Sequence, residues 1–488
     1  MTTTPPSVAA PLSPLVRSLV LIAAAIGFLF DTYELLMFPV IGAQALSELL
    51  QVEQNSTEVR LWAGRMLWMA ALSGGIFGLF GGVLVDRFGR KTVMIGSILL
   101  YSLSPVAAAG STALWHFVLF RCTTFIGVCV ELVAAVTWLA ELFLDKRQRE
   151  RAIGWTLAFA SLGGILVTEV FNGIVAWLHH QPQGLSWLSH VGIFPTPWRY
   201  TLLTGLIPGV LILLLMPFVP ESRIWREKKL AGTLQRPRIA ELFSPQLRRT
   251  TLVTTILSAC SYGAAFGALQ LGPSVMVAGL PDVHQARQES KEKVSALQAA
   301  LKSPSAEERQ QAQEQLQQAQ AAVPRLIDAK RGQMQRWQEI GGLTGRILFA
   351  LLVVYVSSQL LIRMFLLPGL VLFPVTYLVL YHSDFALFCA ALFLCGLVTV
   401  AQFSYVSEYL PKVFPVHLRG TGSSFATNIG GRMIGTMAAV INTELLAPLF
   451  SGENPHRVAI AAAVIGTAVY AIALLASFFL PPPRQEAD

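Results

Sequence analysis

Long apolar segments recur along the whole chain, and they limit its fold more than any other feature. A bilayer core about 30 Å thick is crossed by about 20 helical residues, and we read twelve such segments in the 488 residues. They lie near residues 15–41, 62–85, 92–110, 115–140, 152–178, 198–220, 250–278, 340–360, 365–382, 385–409, 420–447 and 457–480. Only 13% of the residues are charged, against roughly 25% in soluble domains. The sequence therefore predicts an all-α protein embedded in a lipid bilayer.

The net charge of +8 is distributed along the chain in a way that argues against nucleic-acid binding. Basic residues cluster in alternate short loops, whereas the loops between them carry few, and cytoplasmic loops are the basic ones in membrane proteins. We therefore predict both termini in the cytoplasm, with the protein in the inner membrane. The basic clusters are Arg87, Arg90 and Lys91, then Lys146, Arg147, Arg149 and Arg151, then the stretch 223–249, then Lys412 and Arg419.

A polar linker divides the spans into two groups of six. We predict a disordered segment 1–14, a first bundle 15–220, a linker 221–249, a second bundle 250–480 and a tail 481–488. The halves echo each other, because Glu141 and Glu408 are each followed about ten residues later by R-x-x-G, beginning at Arg151 and Arg419. Paired halves with weak internal similarity are typical of secondary transporters. A chance match between two cytoplasmic loops is the alternative.

An insert at 281–336, between the seventh and eighth spans, is rich in Gln, Ala, Lys and Glu. The run Ser305-Ala306-Glu307-Glu308 has the form of a helix-capping box, so we predict a helical hairpin outside the cytoplasm. It contains few large apolar residues. It can therefore serve as a lid, bind an extracytoplasmic partner, or act as a solvated spacer.

Three ionisable residues inside spans are the first candidates for chemistry, because charges at membrane depth are costly and mark functional sites. Asp31 and Glu34 lie three residues apart in the first span and share one helix face. Arg121 in the fourth span stays protonated and needs an anion, and Asp31 is its best candidate partner. We predict that protonation of Asp31 loosens this pair, with Glu34 as the rival proton acceptor. A permanent structural ion pair is the alternative.

The segment from Gly82 to Lys91, between the second and third spans, carries six identities at fixed spacing, G-x-x-x-D-R-x-G-R-K. This pattern resembles the loop between helices 2 and 3 of the major facilitator superfamily. The resemblance implies twelve transmembrane helices in two pseudo-symmetric six-helix bundles around a central cavity. It also implies an inner-gate latch, in which Asp86 faces the start of helix 11. The predicted latch residues are Gly82, Asp86, Arg87, Gly89, Arg90, Glu141, Arg151, Glu408 and Arg419.

Weaker patterns resemble two groups within that superfamily. Asp31 and Glu34 match the D-x-x-D of the first helix in aromatic-acid:proton symporters with a conservative change. Sugar porters couple protons through an acid in helix 1 and an Arg in helix 4, where Asp31 and Arg121 stand here. Arg121 and Gly127 match part of R-x-x-x-G-x-G, and the stretch 220–225 resembles P-E-S-P-R-W with its second Pro lost. The implied substrate is an organic carboxylate or a sugar.

Other polar residues within spans are candidates to line the cavity, although such residues also join helices to one another. The predicted cavity residues are Glu131, Glu169, Asn172, Tyr262, Gln270, Asn428 and Arg432.

The sequence predicts a secondary transporter that moves a small organic solute by alternating access, coupled to protons. An uncoupled facilitator or exchanger of the same fold is one alternative. A non-transporting sensor or scaffold that uses the 281–336 insert is another. We find no H-E-x-x-H, no G-x-S-x-G, no paired Cys and His ligands and no phosphate-binding loop. We therefore expect no enzyme, no cofactor and no metal site; the expected partners are the solute, the proton and the lipid bilayer.

Overall fold

The structure is a computed structural model that describes residues 13–143, 146–231, 239–301, 306–353, 355–415 and 418–482, and these ranges contain helices but no strand. The first half consists of α1 (Pro14–Leu50), α2 (Thr57–Phe88), α3 (Arg90–Ala109), α4 (Leu114–Leu142), α5 (Lys146–His180) and α6 (Pro197–Phe218). A short helix α7 (Arg223–Leu230) follows in the linker. The second half consists of α8 (Arg248–Ser274), α9 (Pro281–Ala300), α10 (Ala306–Leu352), α11 (Ser358–His382), α12 (Phe385–Glu408), α13 (residues 419–446) and α14 (Asn454–Ser477).

Ten of the helices in these ranges are long and apolar enough to cross a membrane. The eighth and eleventh spans complete the predicted twelve. The eighth is the C-terminal part of α10, which is polar over most of its length. The eleventh is α13, which is interrupted by two π-helical stretches, Ala426–Gly435 and Ile441–Leu446. The prediction of an all-α, twelve-span membrane protein in two halves is confirmed.

The two halves meet along three pairs of elements: α5 with α10, α2 with α13, and α1 with the end of α8. The other large contacts lie within a half, such as α3 with α4 and α11 with α14. Residues on these three seams therefore face both halves.

We call the end of the bundle that carries residues 281–336 the hairpin face, and the opposite end, with residues 87–91 and 223–230, the basic face. At the hairpin face the halves are tied by polar contacts. Arg65 of α2 and Glu444 of α13 form an ion pair at 2.5 Å. The Asn454 amide donates to the Asn55 carbonyl oxygen at 3.1 Å. This end of the bundle is closed.

Arg331 of α10 makes the most deeply buried of the contacts at the hairpin face, with none of its side chain exposed. Its guanidinium donates to the Asp328 carboxylate at 2.7 Å, to the Pro273 carbonyl at 3.0 Å and to Gln54 Oε1 at 2.8 Å. Gln54 belongs to the first half, and the Gln44 side chain of α1 faces Asp328 from the same half. One arginine thus joins α8 and α10 to the first half.

Helices α2 and α13 approach each other closely at Gly64 and Gly78. A Cβ atom at Gly64 would lie 2.8 Å from the Ala439 carbonyl oxygen, and one at Gly78 would lie 2.8 Å from Asn428 Oδ1. A Cβ atom at Gly82 would meet nothing within 4 Å. In this conformation Gly78 allows the two helices to approach closely, whereas no neighbour crowds Gly82.

The insert is a pair of helices, α9 and α10, packed against each other. Ser290 donates to the Ala319 carbonyl oxygen at 2.9 Å, and Lys330 donates to Asp282 at 2.5 Å. The predicted capping residue Ser305 lies outside the described residues. Helix α10 continues from the insert into the eighth span without a break at residue 336, so the insert is an extension of a membrane helix.

Candidate functional site

A buried cluster of two carboxyl groups and one guanidinium lies between the halves. Asp31 comes from α1, Glu131 from α4 and Arg432 from the first π-helical stretch of α13. All three are buried, and Glu131 has no exposed surface. The Glu131 carboxylate lies against Gly27, one turn before Asp31, where a Cβ atom would overlap it. The absence of a side chain at Gly27 lets the α4 carboxylate reach Asp31.

The Asp31 and Glu131 carboxyl groups face each other at hydrogen-bonding range, and Arg432 is the cation whose charge acts on Asp31. Within the described residues, neither Glu131 oxygen receives a hydrogen bond from a nitrogen or hydroxyl donor. Two carboxyl groups can hydrogen-bond to each other only when one of them carries a proton. A proton on either group would allow that hydrogen bond.

The expected pair between Asp31 and Arg121 is not formed. Among the described residues no ion pair joins them; Arg121 instead donates to the Leu35 carbonyl oxygen at 3.1 Å, and Glu34 is the acid whose charge acts on it. Side chains three residues apart on a helix do not point in the same direction. Glu34 points toward α6, where a Cβ atom at Gly205 would lie 2.7 Å from its Oε1. Asp31 turns toward α13, so the two acids have different partners.

The second half contributes a polar and aromatic surface beside Arg432. The Arg432 guanidinium donates to Asn428 Oδ1 at 2.7 Å, and the Tyr262 ring lies beside it. Tyr262 stacks on Phe266 with ring centroids 5.9 Å apart and meets Phe403 edge-on at 5.0 Å. A guanidinium next to aromatic rings can bind the carboxylate and the apolar body of an organic acid.

Sequence reasoning missed a set of buried polar residues on α10. Gln335, Gln338 and Glu339 have at most 7% of their surface exposed. Gln335 Nε2 donates to Glu339 Oε1 at 2.7 Å and to Gln270 Oε1 at 3.4 Å. The predicted insert ended at residue 336 and the predicted eighth span began at residue 340, so Gln335 was assigned to the insert, and Gln338 and Glu339 to neither. Their spacing of three and four residues from Asp328 onward is the helical polar face that would have revealed them.

Two predicted cavity residues lie elsewhere. Glu169 of α5 is exposed and forms an ion pair with Arg336 of α10 at 2.5 Å, because α5 turns this position outward along the seam. Asn172 lies against Gly332, where a Cβ atom would overlap its amide. Both residues contribute to the contact between halves rather than to the buried cluster.

The segment 82–91 contains contacts within the first half. Arg90 donates to both oxygens of Glu141, at 2.8 and 2.9 Å. The Glu221 carboxylate accepts from the Lys91 backbone N–H at 3.1 Å, at the start of α3, where a helix favours negative charge. Gly89 lies at the turn between α2 and α3 and has a φ of +100°, a backbone conformation that favours glycine. Arg90 is thus paired with Glu141.

The side chains of four predicted latch residues, Asp86, Arg151, Glu408 and Arg419, lie outside what the structure describes. Arg87 is exposed and lies over the Phe88 ring. The latch stays a prediction.

Residues 13–301 match the family model described as Major Facilitator Superfamily. The probable 4-methylmuconolactone transporter of Cupriavidus pinatubonensis is 23% identical over 51% of this chain and 53% of its own length. The 3-(3-hydroxy-phenyl)propionate transporter of Escherichia coli is 28% identical over 39% of this chain and 42% of its own length. The chain thus spans about half the length of the curated relatives it matches.

Solved structures match over nearly the whole chain. A D-xylose-proton symporter superimposes with a TM-score of 0.63 at 16% identity, covering 95% of this chain and 98% of that one. A bacterial homolog of the human lysosomal transporter Spinster gives a TM-score of 0.61 at 15% identity, covering 98% of this chain and 100% of that one. At such identities the likeness establishes the fold alone.

Proposed function

We propose that this chain, which belongs to the major facilitator superfamily, is a proton-coupled symporter of a small organic carboxylate. The basic face and both termini lie in the cytoplasm, as the charge distribution favours, and the hairpin face lies outside the cytoplasmic membrane. The conformation described above is then closed to the outside.

The observation that carries this proposal is the carboxyl pair of Asp31 and Glu131 beside Arg432. Asp31 and Glu131 belong to the first half and Arg432 to the second, so the cluster joins two halves that must move relative to each other during transport. In a medium of low dielectric constant, two adjacent carboxylates cannot both stay ionised, so they share a proton. Proton binding at this pair therefore alters the free energy of the contact between halves, which is what coupling requires.

Charge balance gives the expected stoichiometry. With no solute bound, one positive charge on Arg432 and one shared proton on the acid pair leave the buried cluster neutral. A monocarboxylate on Arg432 adds one negative charge, and one further proton on the acid pair restores neutrality. Since unbalanced charge in the membrane is costly, the neutral, doubly protonated, solute-bound form is the one that crosses. Transport is then one proton per monocarboxylate.

The names of two relatives also favour an organic acid as the solute. The two are named as transporters of a lactone and of a phenylpropionate. Arg432 and the Tyr262 ring offer a guanidinium and an aromatic surface of the kind that binds such molecules.

The test is uptake by proteoliposomes under an imposed pH gradient, screened with labelled organic acids and sugars. Wild type should accumulate a carboxylate only when the gradient is present. The double variant Asp31→Asn/Glu131→Gln, which lacks both proton acceptors of the cluster, should lose accumulation but retain exchange of labelled for unlabelled solute. Glu58→Gln, which changes an exposed carboxylate on α2, is the matched control and should behave as wild type. Gradient-driven accumulation that survives in this double variant would reject the acid pair as the coupling site.

A further inference from the structure

Helix α10 carries a continuous buried polar face from the hairpin face into the centre of the bundle. Asp328, Arg331, Gln335 and Gln338 follow each other at intervals of three or four residues, and Glu339 lies beside them. The two residues nearest the hairpin face, Asp328 and Arg331, take part in the contacts that close it. We call Gln335, Gln338 and Glu339 the lower three residues. Among the described residues, Gln335, Gln338 and Glu339 take part in no ion pair between the halves. Closure of the hairpin face therefore does not account for them.

The lower three residues present hydrogen-bond acceptors in excess. Both Gln335 and Gln338 turn their amide nitrogens to Glu339 Oε1, at 2.7 and 3.4 Å. Their own oxygens are buried and receive no hydrogen bond from the described residues. A buried acceptor without a donor is costly. Exchanging the nitrogen and oxygen positions of either amide would place an oxygen against the Glu339 carboxylate. The site therefore calls for donor groups from a ligand.

Glu339 also faces the opposite half. A Cβ atom at Gly164 of α5 would overlap the second oxygen of the Glu339 carboxylate. The charge of Arg346, two turns further along α10, acts on Glu339, and the same arginine interacts with Tyr262. Tyr262 in turn lies beside Arg432. The acceptor-rich site and the proposed carboxylate site are thus neighbours in one polar layer.

We propose that Glu339, with Gln335 and Gln338, binds hydroxyl groups of the transported solute, so that the substrate is a hydroxylated organic acid. Hydroxyls of the solute donate to the carboxylate and to the two amide oxygens, while its carboxylate binds Arg432. This inference rests on the proposed function and deepens it. A site built to bind a hydroxyl rejects the analogue that lacks it, because its buried acceptors are then left unpaired.

The experiment measures uptake of matched acids in proteoliposomes under a pH gradient, using labelled gluconate against hexanoate and 4-hydroxybenzoate against benzoate. Wild type should prefer the hydroxylated member of at least one pair by about tenfold or more, the effect of one hydrogen bond to a charged acceptor. Glu339→Gln should reduce that preference by about tenfold through the hydroxylated member alone. Gln338→Met, which removes one amide, should lower it in the same direction.

Glu314→Gln is the matched control, because it makes the same change on an exposed part of the same helix; it should leave the preference unchanged. Thermal unfolding of each purified variant checks that it is folded. Equal uptake of both members by wild type, or an equal loss of both in Glu339→Gln, would overturn the inference and leave the proposed function standing. Gradient-independent uptake by wild type would instead reject the proposed function.

Discussion

Replacing Arg331 with Met should open the hairpin face. The side chain is fully buried and donates to a carboxylate, a backbone carbonyl and an amide oxygen of the opposite half. Methionine fills a similar volume without a charge. In the closed state Asp328 would then be buried without its cation, whereas in a state open at this face it would be hydrated.

The magnitude follows from that difference. Removing one partner of a buried ion pair costs about 3–5 kcal/mol, and here the cost falls on the closed state. A shift of about 3 kcal/mol changes the ratio of the two states more than a hundredfold. The ion pair between Arg65 and Glu444 offers a contrast, because its side chains are 39% and 27% exposed. Since such pairs contribute about 0–1 kcal/mol, Arg65→Met should shift the ratio by about fivefold at most.

The assay is pulsed electron spin resonance in liposomes, with spin labels at the exposed residues Gln51 and Glu453, one in each half. The five native cysteines are first replaced by alanine. Arg331→Met should move the main population to longer distances. Adding Asp328→Asn removes the orphan charge and should restore much of the short-distance population. A folded Arg331→Met protein with an unchanged distance distribution would refute the reasoning.

Three further predictions concern other contacts. Gly164→Ala should hinder closure of the hairpin face and slow uptake, because its methyl group would overlap the Glu339 carboxylate; Gly173→Ala, where a Cβ atom meets nothing within 4 Å, should have no effect. Glu221→Ala should destabilise the protein by about 0.5–2 kcal/mol, the range for loss of a helix cap, which a thermal unfolding curve of purified protein measures. Uptake of a monocarboxylate should respond to a pH gradient but not to a potassium diffusion potential, and a strong response to the potential would contradict the charge balance around Arg432.

The spans and their pairing into halves could be predicted from the sequence because a bilayer demands long apolar helices whatever their neighbours. The candidate residues of the buried cluster could also be found one by one, since ionisable side chains within spans are few. The residues with which they pair could not be predicted from the sequence. Asp31 and Glu34 lie close in sequence, and only the rotation of α1 between its neighbours decides that one meets Glu131 and the other Arg121.

The polar face of α10 shows where apolar periodicity fails as a guide. The eighth span was placed by its apolar residues, and its start was set just after Glu339. In the structure the neighbours of α10 satisfy or face its polar side chains, so this part of the helix is buried despite its composition. A helix whose polar face is covered by other helices can lie within the bundle with a low mean hydropathy. The sequence does not show which helices will be its neighbours.

Since α10 has 47 residues, at a rise of 1.5 Å per residue it is about 70 Å long. Its lower part belongs to the moving half, and its upper part projects beyond the bundle. A tilt of that half would displace the projecting end of α10 further than the part of the helix within the bundle. An antibody fragment that clamps the tip against the first half would therefore arrest the cycle from outside, without entering the solute pathway.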